Sequence, residues 1–134
     1  MEKQLAHLKM IQGIVNRLSH NSFLLKGWCV VLVSALFALA AATNSKAHFI
    51  YLAYFPAVAF WVLDAYFLWQ ERLFRALYDR VRRMKEEEVD FSMDTSVVKS
   101  QVRPWADVIF SKTLVLFHGT VFGSIVVVML TGWL

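Results

Sequence analysis

The sequence predicts an all-α integral membrane protein, formed by a single membrane domain over residues 1–134. Hydrophobic residues make up 58% of the chain and charged residues 18%, and the mean hydropathy is +0.51. Soluble domains are usually about 45–50% apolar, and so short a chain cannot hide eleven Phe and five Trp in one core. Five Gly and two Pro are too few for a loop-rich or all-β fold, and they favour long helices.

The same composition excludes several classes of protein. The single cysteine, Cys29, has no partner in the chain, which excludes a disulfide-stapled secreted miniprotein. The high hydrophobicity excludes a disordered chain. The sequence has no phosphate-binding glycine loop, nucleophile elbow, HExxH or CxxC motif, so we expect neither enzymatic activity nor a cofactor. Asp90 and Asp94 lack the further ligands of a metal site.

The first element, residues 1–22, is predicted to be an amphipathic helix on the cytoplasmic side. Its apolar residues recur at intervals of three and four, as on one face of a helix. The polar run from Ser19 to Ser22 is expected to end this helix and to cap the next one. The helix either lies on the membrane surface or packs in the core of an oligomer. The apolar residues are Leu5, Leu8, Ile11, Val15 and Leu18.

Three apolar segments are each about as long as the ~30 Å hydrocarbon core of a bilayer is thick. Residues 23–43 form span one, with the Lys26 side chain extending to the lipid headgroups. Residues 47–69 form span two, and residues 113–134 form span three. Cys29 then lies inside span one, where we expect it to be a small core residue.

The distribution of Lys and Arg predicts the orientation of the three spans. Of the fourteen basic residues, all but Lys46 lie in the N-terminal segment or in the connection 70–112. Because short cytoplasmic segments carry the excess of Lys and Arg, these two segments are expected in the cytoplasm and the C-terminus outside. In a bacterium this places the protein in the inner membrane with a periplasmic C-terminus.

Residues 70–112 are predicted to be a cytoplasmic region of helix and loop. No Gly or Pro interrupts Gln70 to Glu88, so span two should continue as one helix of about 40 residues. Apolar residues at heptad spacing along this extension form a seam, either for self-association or for packing against the N-terminal helix. The seam residues are Phe67, Phe74, Leu77, Val81 and Met84.

The chain beyond this extension loses its helical periodicity. Val89 to Val102 is rich in β-branched and hydroxyl residues, which predicts a loop with room for one short strand. Pro104 suits the first position of a new helix, which we expect to continue through Lys112 into span three.

Basic side chains concentrate at the end of the extension that lies farthest from the membrane. They either form a solvated face, partly neutralised by the neighbouring Glu86, Glu87 and Glu88, or an anion site. The excess of Arg over Lys suits bidentate recognition of phosphate, and several copies around an axis would form a basic ring suited to a nucleotide or oligonucleotide. The candidate ligand-binding residues are Arg80, Arg82, Arg83 and Lys85.

Two ionisable residues lie inside the predicted spans. Asp64 is five residues from the cytoplasmic end of span two and His118 about six residues from that of span three, so both lie about 7–8 Å deep. Such residues are costly in lipid and are candidate functional groups. The two side chains either pair as interhelical contacts or act in a pore or its gate.

Three segments of the sequence resemble a known family. The strings NSFLLKGW (residues 21–28), FWVLDAYFLWQERLFRALYDRVR (residues 60–82) and DFSM (residues 90–93) are similar to those of small three-span bacterial proteins, often encoded in antiphage defence loci. The family is that of the membrane effector subunits of Hailong defence systems. The resemblance implies a tetrameric ion channel in the inner membrane. It also implies a partner nucleotidyltransferase that makes single-stranded DNA oligomers. In that family the oligomers hold the channel shut by binding a basic cytoplasmic pocket, and their loss depolarises the cell.

Three functions therefore compete. The first is a ligand-gated channel effector, and the second is a non-conducting membrane anchor or scaffold whose cytoplasmic helices recruit a partner. A phage holin is the third and is disfavoured, because holins rarely carry so large a charged cytoplasmic helix.

Overall fold

A computed structural model describes residues 1–44 and 46–132. Its described part consists of helices and short connections and contains no strand. The α-helices and the two 3₁₀ helices have the following bounds: α1 Glu2–Ala42, α2 Lys46–Arg82, 3₁₀ helices Glu86–Glu88 and Thr95–Gln101, α3 Trp105–Ile109 and α4 Lys112–Gly132.

Three of these helices, α1, α2 and α4, are long and apolar enough to cross a membrane. The prediction of an all-helical chain with three candidate spans is therefore confirmed. Ser45, between spans one and two, and residues 133 and 134, at the predicted end of span three, lie outside the described residues.

The predicted break between the N-terminal helix and span one is wrong. Helix α1 runs without interruption from Glu2 to Ala42 and passes through Ser19–Ser22. Ser, His and Asn are weaker helix formers than Ala, but each costs well under 1 kcal/mol in a helix interior, and this segment contains neither Gly nor Pro. A short polar run is too weak a signal to end a helix that is favourable on both sides.

Helix α2 continues span two as one helix of 37 residues, close to the predicted length of about 40, and it ends at Arg82, before the end of the Gln70–Glu88 segment. Three consecutive glutamates would place negative charge at the negative end of the helix dipole, which disfavours continuation. The Gln4 side chain also binds the end of the helix, because its Nε2 lies 3.0, 2.9 and 3.0 Å from the carbonyl oxygens of Val81, Arg82 and Met84.

Two further expectations for the 89–112 segment need correction. The stretch 95–101 forms a 3₁₀ helix and not a strand, and the Asp94 carboxylate caps it by accepting the backbone N–H of Ser96 at 2.9 Å. The helix that follows Pro104 is also short. It ends at Ile109, and α4 begins separately at Lys112, so one continuous helix does not lead into span three.

The chain divides into two compact units. The span unit comprises Phe23–Ala65 and the chain from Ile109 onward. Its core combines small and branched residues, and the alanines allow close approach of helix backbones. The core residues are Cys29, Val33, Ala40, Ile50, Ala53, Ala57 and Ile125.

The charged unit comprises Met1–Ser22 and Tyr66–Val108. Its core joins the beginning of α1, the end of α2 and the second 3₁₀ helix through Ile11, Val15, Leu77, Val81 and Val98. The amphipathic character predicted for residues 1–22 stays a prediction, since Ile11 and Val15 are buried whereas Leu5 is exposed.

The Glu86 carboxylate caps the start of α1 within the charged unit. It accepts the backbone N–H groups of Lys3 at 2.8 Å and Gln4 at 3.4 Å, and it forms an ion pair with the N-terminal ammonium group. That ammonium group, followed by the Lys3 N–H, holds the pKa of Glu86 below its usual value of 4.5. Glu86, which follows α2, thus binds the start of α1, and Gln4, in the first turn of α1, binds the end of α2.

Replacing Glu86 with Gln should therefore destabilise the charged unit in a pH-dependent manner. Because the pKa is lowered on folding, the carboxylate stabilises the fold fully above pH 4.5, and this contribution disappears as the pH falls through the lowered pKa. Thermal unfolding followed by circular dichroism should show a variant-to-parent difference at pH 7 that shrinks as the pH falls below 4.5. Glu87→Gln, at an exposed neighbouring glutamate, is the matched control. A difference in thermal stability between variant and parent that is equal at every pH would contradict this role of the Glu86 carboxylate.

Candidate functional site

The span unit contains a buried ionic cluster centred on Asp64. This residue lies on α2 and is 0% exposed. Its Oδ2 atom lies 2.6 Å from Lys26 Nζ on α1 and 2.7 Å from His118 Nε2 on α4. One carboxylate oxygen therefore joins all three candidate spans.

The structure brings Asp64 and His118 together, as their equal predicted depth allows. His118 is 1% exposed, and its ring stacks on Trp61 with centroids 5.9 Å apart and an interplanar angle of 12°. Trp61 is fixed in turn, because its Nε1–H donates to the carbonyl oxygen of Ile109 at 2.9 Å. Phe117 packs edge-on against His118 at a centroid distance of 5.0 Å.

The geometry also indicates which nitrogen of His118 carries a hydrogen. An ionised Asp64 has no hydrogen to donate, so Nε2–H is the donor in the 2.7 Å contact. Nδ1 is buried and has no hydrogen-bond partner among the described residues. In the neutral ring Nδ1 is a lone-pair acceptor, and leaving it unpaired inside an aromatic environment costs less than burying an unpaired N–H or a charge.

Lys26 is the member of the cluster that sequence reasoning missed. Its side chain was expected to reach the headgroups, but it is only 21% exposed and its ammonium group contacts Asp64. The ammonium also lies 5.9 Å from the centroid of the Phe117 ring. A signal was available: a buried carboxylate needs a cation, and Lys26 is the basic residue adjoining the apolar run of span one.

The cluster combines a buried carboxylate with a lysine amine and an imidazole ring. In low dielectric the ion pair repays its desolvation only while the contacts stay intact, so separating the helices leaves an unpaired charge. The arrangement can therefore lock α1, α2 and α4 in one packing, with a large penalty for partial opening. Cys29, one turn after Lys26 on α1, is buried in the apolar core.

The ligand-binding role of the four candidate basic residues stays a prediction. Arg80, Arg82, Arg83 and Lys85 are all exposed around the end of α2. Arg82 lies 3.6 Å from the Asp79 carboxylate, and both side chains are largely in solvent. Arg80 lines a small cavity of about 60 Å³ together with Asp90 and Asp94, so it faces carboxylates as well as solvent.

Asp90 and Asp94 are used in local turns. The Asp90 carboxylate accepts the N–H of Ser92 at 3.1 Å, as Asp94 does from Ser96. The backbone N–H and hydroxyl of Ser96 hold the pKa of Asp94 below its usual value. Among the described residues, no three His, Cys, Asp or Glu side chains are arranged to hold a metal ion.

The seam residues are occupied within the chain. Leu77 and Val81 belong to the core of the charged unit, and Phe74 and Met84 pack against it, whereas Phe67 is half-buried. Of the two alternatives drawn from the sequence, this geometry is the packing against the N-terminal helix. Self-association of the protein stays a prediction.

The fold and the cluster define a class of protein: an all-helical chain with three candidate membrane spans joined by a buried ionic contact. No family model, curated protein or solved structure matches this chain.

Proposed function

We propose that this protein is a gated ion-conducting membrane effector whose closed state is held by the Lys26–Asp64–His118 cluster. The observation that carries the proposal is the full burial of an ionisable carboxylate among three candidate spans. Ionisable groups inside spans are costly and usually serve transport or gating. Because Asp64 and His118 are buried, the proposal assigns them to the gate and not to the wall of an open pore.

The exposed face of α4 is the proposed pore lining. Ser124 and Thr131 are exposed seven residues apart, while Leu114, His118 and Ile125 of the same helix are buried. Both hydroxyls donate to carbonyl oxygens four residues earlier, at 2.8 Å each. Their oxygen lone pairs can still accept hydrogen bonds from water.

The proposed pore requires several copies, because the described parts of the three candidate spans pack on one another around buried side chains. The proposal therefore includes a homo-oligomer, a tetramer by the family resemblance, in the bacterial inner membrane with the charged unit in the cytoplasm. Gly123 on α4 has no neighbouring atom within 4 Å of where a Cβ would stand. This open position allows a helix of another copy to approach closely.

The proposed ligand is a single-stranded DNA oligomer or a nucleotide, made by a partner nucleotidyltransferase and required for closure. The resemblance to Hailong effectors supports this part. The exposed basic residues at the end of α2 supply the phosphate-binding groups. The proposed pocket forms where several copies bring these helix ends together.

Planar-bilayer recordings of the purified protein, with and without short single-stranded DNA, test the proposal. We expect conductance that the DNA suppresses. Replacing Arg80, Arg82, Arg83 and Lys85 with Ala should abolish this suppression, and binding of the parent should fall with salt at a slope of about 0.7 per phosphate contact. A variant with Lys9 and Arg17 replaced by Ala, both exposed on α1, is the control for altered net charge. Equal suppression of the parent and the fourfold variant would exclude these residues as the ligand site.

A non-conducting membrane anchor is the second candidate. The use of Leu77 and Val81 in an intrachain core favours it, because this leaves the predicted seam unable to hold copies together without rearrangement. An anchor predicts no conductance from the purified protein under any DNA concentration, and an unchanged membrane potential in cells that express it.

A further inference from the structure

A groove of about 630 Å³ lies on the span unit between α1 and α4. Its walls are largely apolar, with Val30 on one helix and Leu116 and Phe117 on the other. Two lysines, Lys26 and Lys112, also line it. The groove therefore combines a long hydrophobic surface with concentrated positive charge, both within the three-helix unit.

The charge of the groove is unbalanced on its open side. None of the described residues that line it is acidic, and Lys112 is exposed at the first position of α4. Helix α4 has 21 residues, and the N–H groups of its first turn, including that of the lining residue Thr113, add a further preference for anions. Charge complementarity thus calls for an anionic group joined to an apolar chain.

We propose that this groove binds an anionic phospholipid of the surrounding bilayer. Lys112 and the first turn of α4 contact the phosphate, and an acyl chain lies along Val30, Leu116 and Phe117. Basic residues at the ends of membrane helices are well placed for headgroups, and each such contact adds to attraction by anionic lipids. This site does not depend on the proposed channel activity.

The lipid site shares one residue with the ionic cluster. Lys26 lines the groove and also lies 2.6 Å from Asp64 Oδ2. A lipid phosphate therefore competes with Asp64 for the same ammonium group. Occupancy of the groove should weaken the contact between α1 and α2, so that the lipid composition of the membrane biases the packing of the three helices.

Native mass spectrometry of the detergent-solubilised protein tests the site with dioleoylphosphatidylglycerol and, at equal concentration, zwitterionic dioleoylphosphatidylcholine. We expect preferential retention of the anionic lipid. Lys112→Gln should bind it about tenfold more weakly, which corresponds to the loss of about 1.4 kcal/mol from one charge-assisted contact. Lys9→Gln, which removes an exposed lysine of the charged unit, is the charge-matched control and should bind like the parent.

A second variant tests the apolar wall and guards against misfolding as an explanation. Leu116 is largely exposed, so Leu116→Asp should leave thermal stability unchanged while reducing retention of phosphatidylglycerol at least as much as Lys112→Gln. Water-soluble glycerol phosphate should compete poorly, because it lacks the acyl chain.

Three results would overturn the proposal. They are equal retention of the two lipids, unchanged binding by Lys112→Gln, and effective competition by glycerol phosphate. A loss of single-stranded DNA binding in Lys112→Gln, with lipid retention intact, would instead identify the groove as a nucleic-acid surface.

Discussion

Replacing Asp64 with Asn is expected to lower the free energy of unfolding by about 3–5 kcal/mol, the usual cost of removing one partner from a buried ion pair. The side chain keeps its size, but Lys26 and His118 lose the anion that both contact at less than 3 Å. The effect should lie toward the lower end of this range, because Lys26 is 21% exposed and can recover some hydration.

Unfolding of the solubilised protein in a titration of denaturing detergent measures this change. Asp79→Asn is the matched control, since Asp79 pairs with Arg82 while both side chains are 58% exposed, and such surface pairs contribute about 0–1 kcal/mol. A triple variant with Lys26→Met, Asp64→Leu and His118→Leu should recover most of the loss, because no buried charge remains unpaired. If the Asp64→Asn and Asp79→Asn variants were equally stable, the cluster would contribute nothing to the free energy of unfolding.

The same variant separates a gate from a purely structural contact. If the cluster holds the proposed closed state, a loss of about 3 kcal/mol shifts a two-state gate by about two orders of magnitude. Cells that express Asp64→Asn should then depolarise, and the triple variant, in which no buried charge is left unpaired, should partly restore the membrane potential. Lower stability without any change in conductance or potential would leave the cluster as an interhelical contact alone.

Local sequence signals predicted the helices and the candidate spans, because length and apolar content act within one segment. The meeting of Asp64 and His118 followed from a depth argument that counts residues along each span. Neither signal indicates which other side chain joins them. For this reason we expected Lys26 to extend to the lipid headgroups, as a lysine near the end of a single membrane helix does.

The helix ends were predicted poorly because distant residues determine them. Helix α2 ends where the amide of Gln4, 77 to 80 residues earlier, binds its last carbonyls, and α1 begins where Glu86 accepts its first N–H groups. The run Ser19–Ser22 resembled a boundary only because polar residues often precede helices. A helix cap formed by a side chain from a distant part of the chain cannot be predicted from the residues near the helix end.

The basic cluster illustrates a different limit. Four cationic residues close in sequence suggested one anion site, and the structure places two of them on α2 and two beyond its end at Arg82. Charge density along the chain therefore indicates where phosphate can be attracted. It does not indicate whether the side chains point to one place.

Replacing Leu77 with Ala is expected to lower the stability of the charged unit by about 2–5 kcal/mol, the usual cost of truncating a buried leucine. Leu77 is 3% exposed and packs in the core that contains Ile11, Val81 and Val98. Hydrogen exchange of the charged unit and thermal unfolding measure the loss. Leu5→Ala, at a leucine that is 54% exposed in the same unit, should change stability by less than about 0.5 kcal/mol.

The oligomeric state of these two variants decides between the two roles of the seam. An intrachain core predicts that Leu77→Ala raises the exchange of backbone amides in the N-terminal part of α1, where Ile11 and Val15 lose a packing partner, while the molar mass by light scattering stays that of the parent. An intermolecular seam predicts the reverse: the molar mass falls, and the exchange within each dissociated copy changes little. Because the first outcome leaves the association of copies to other surfaces, it would direct attention to the exposed hydroxyl face of α4.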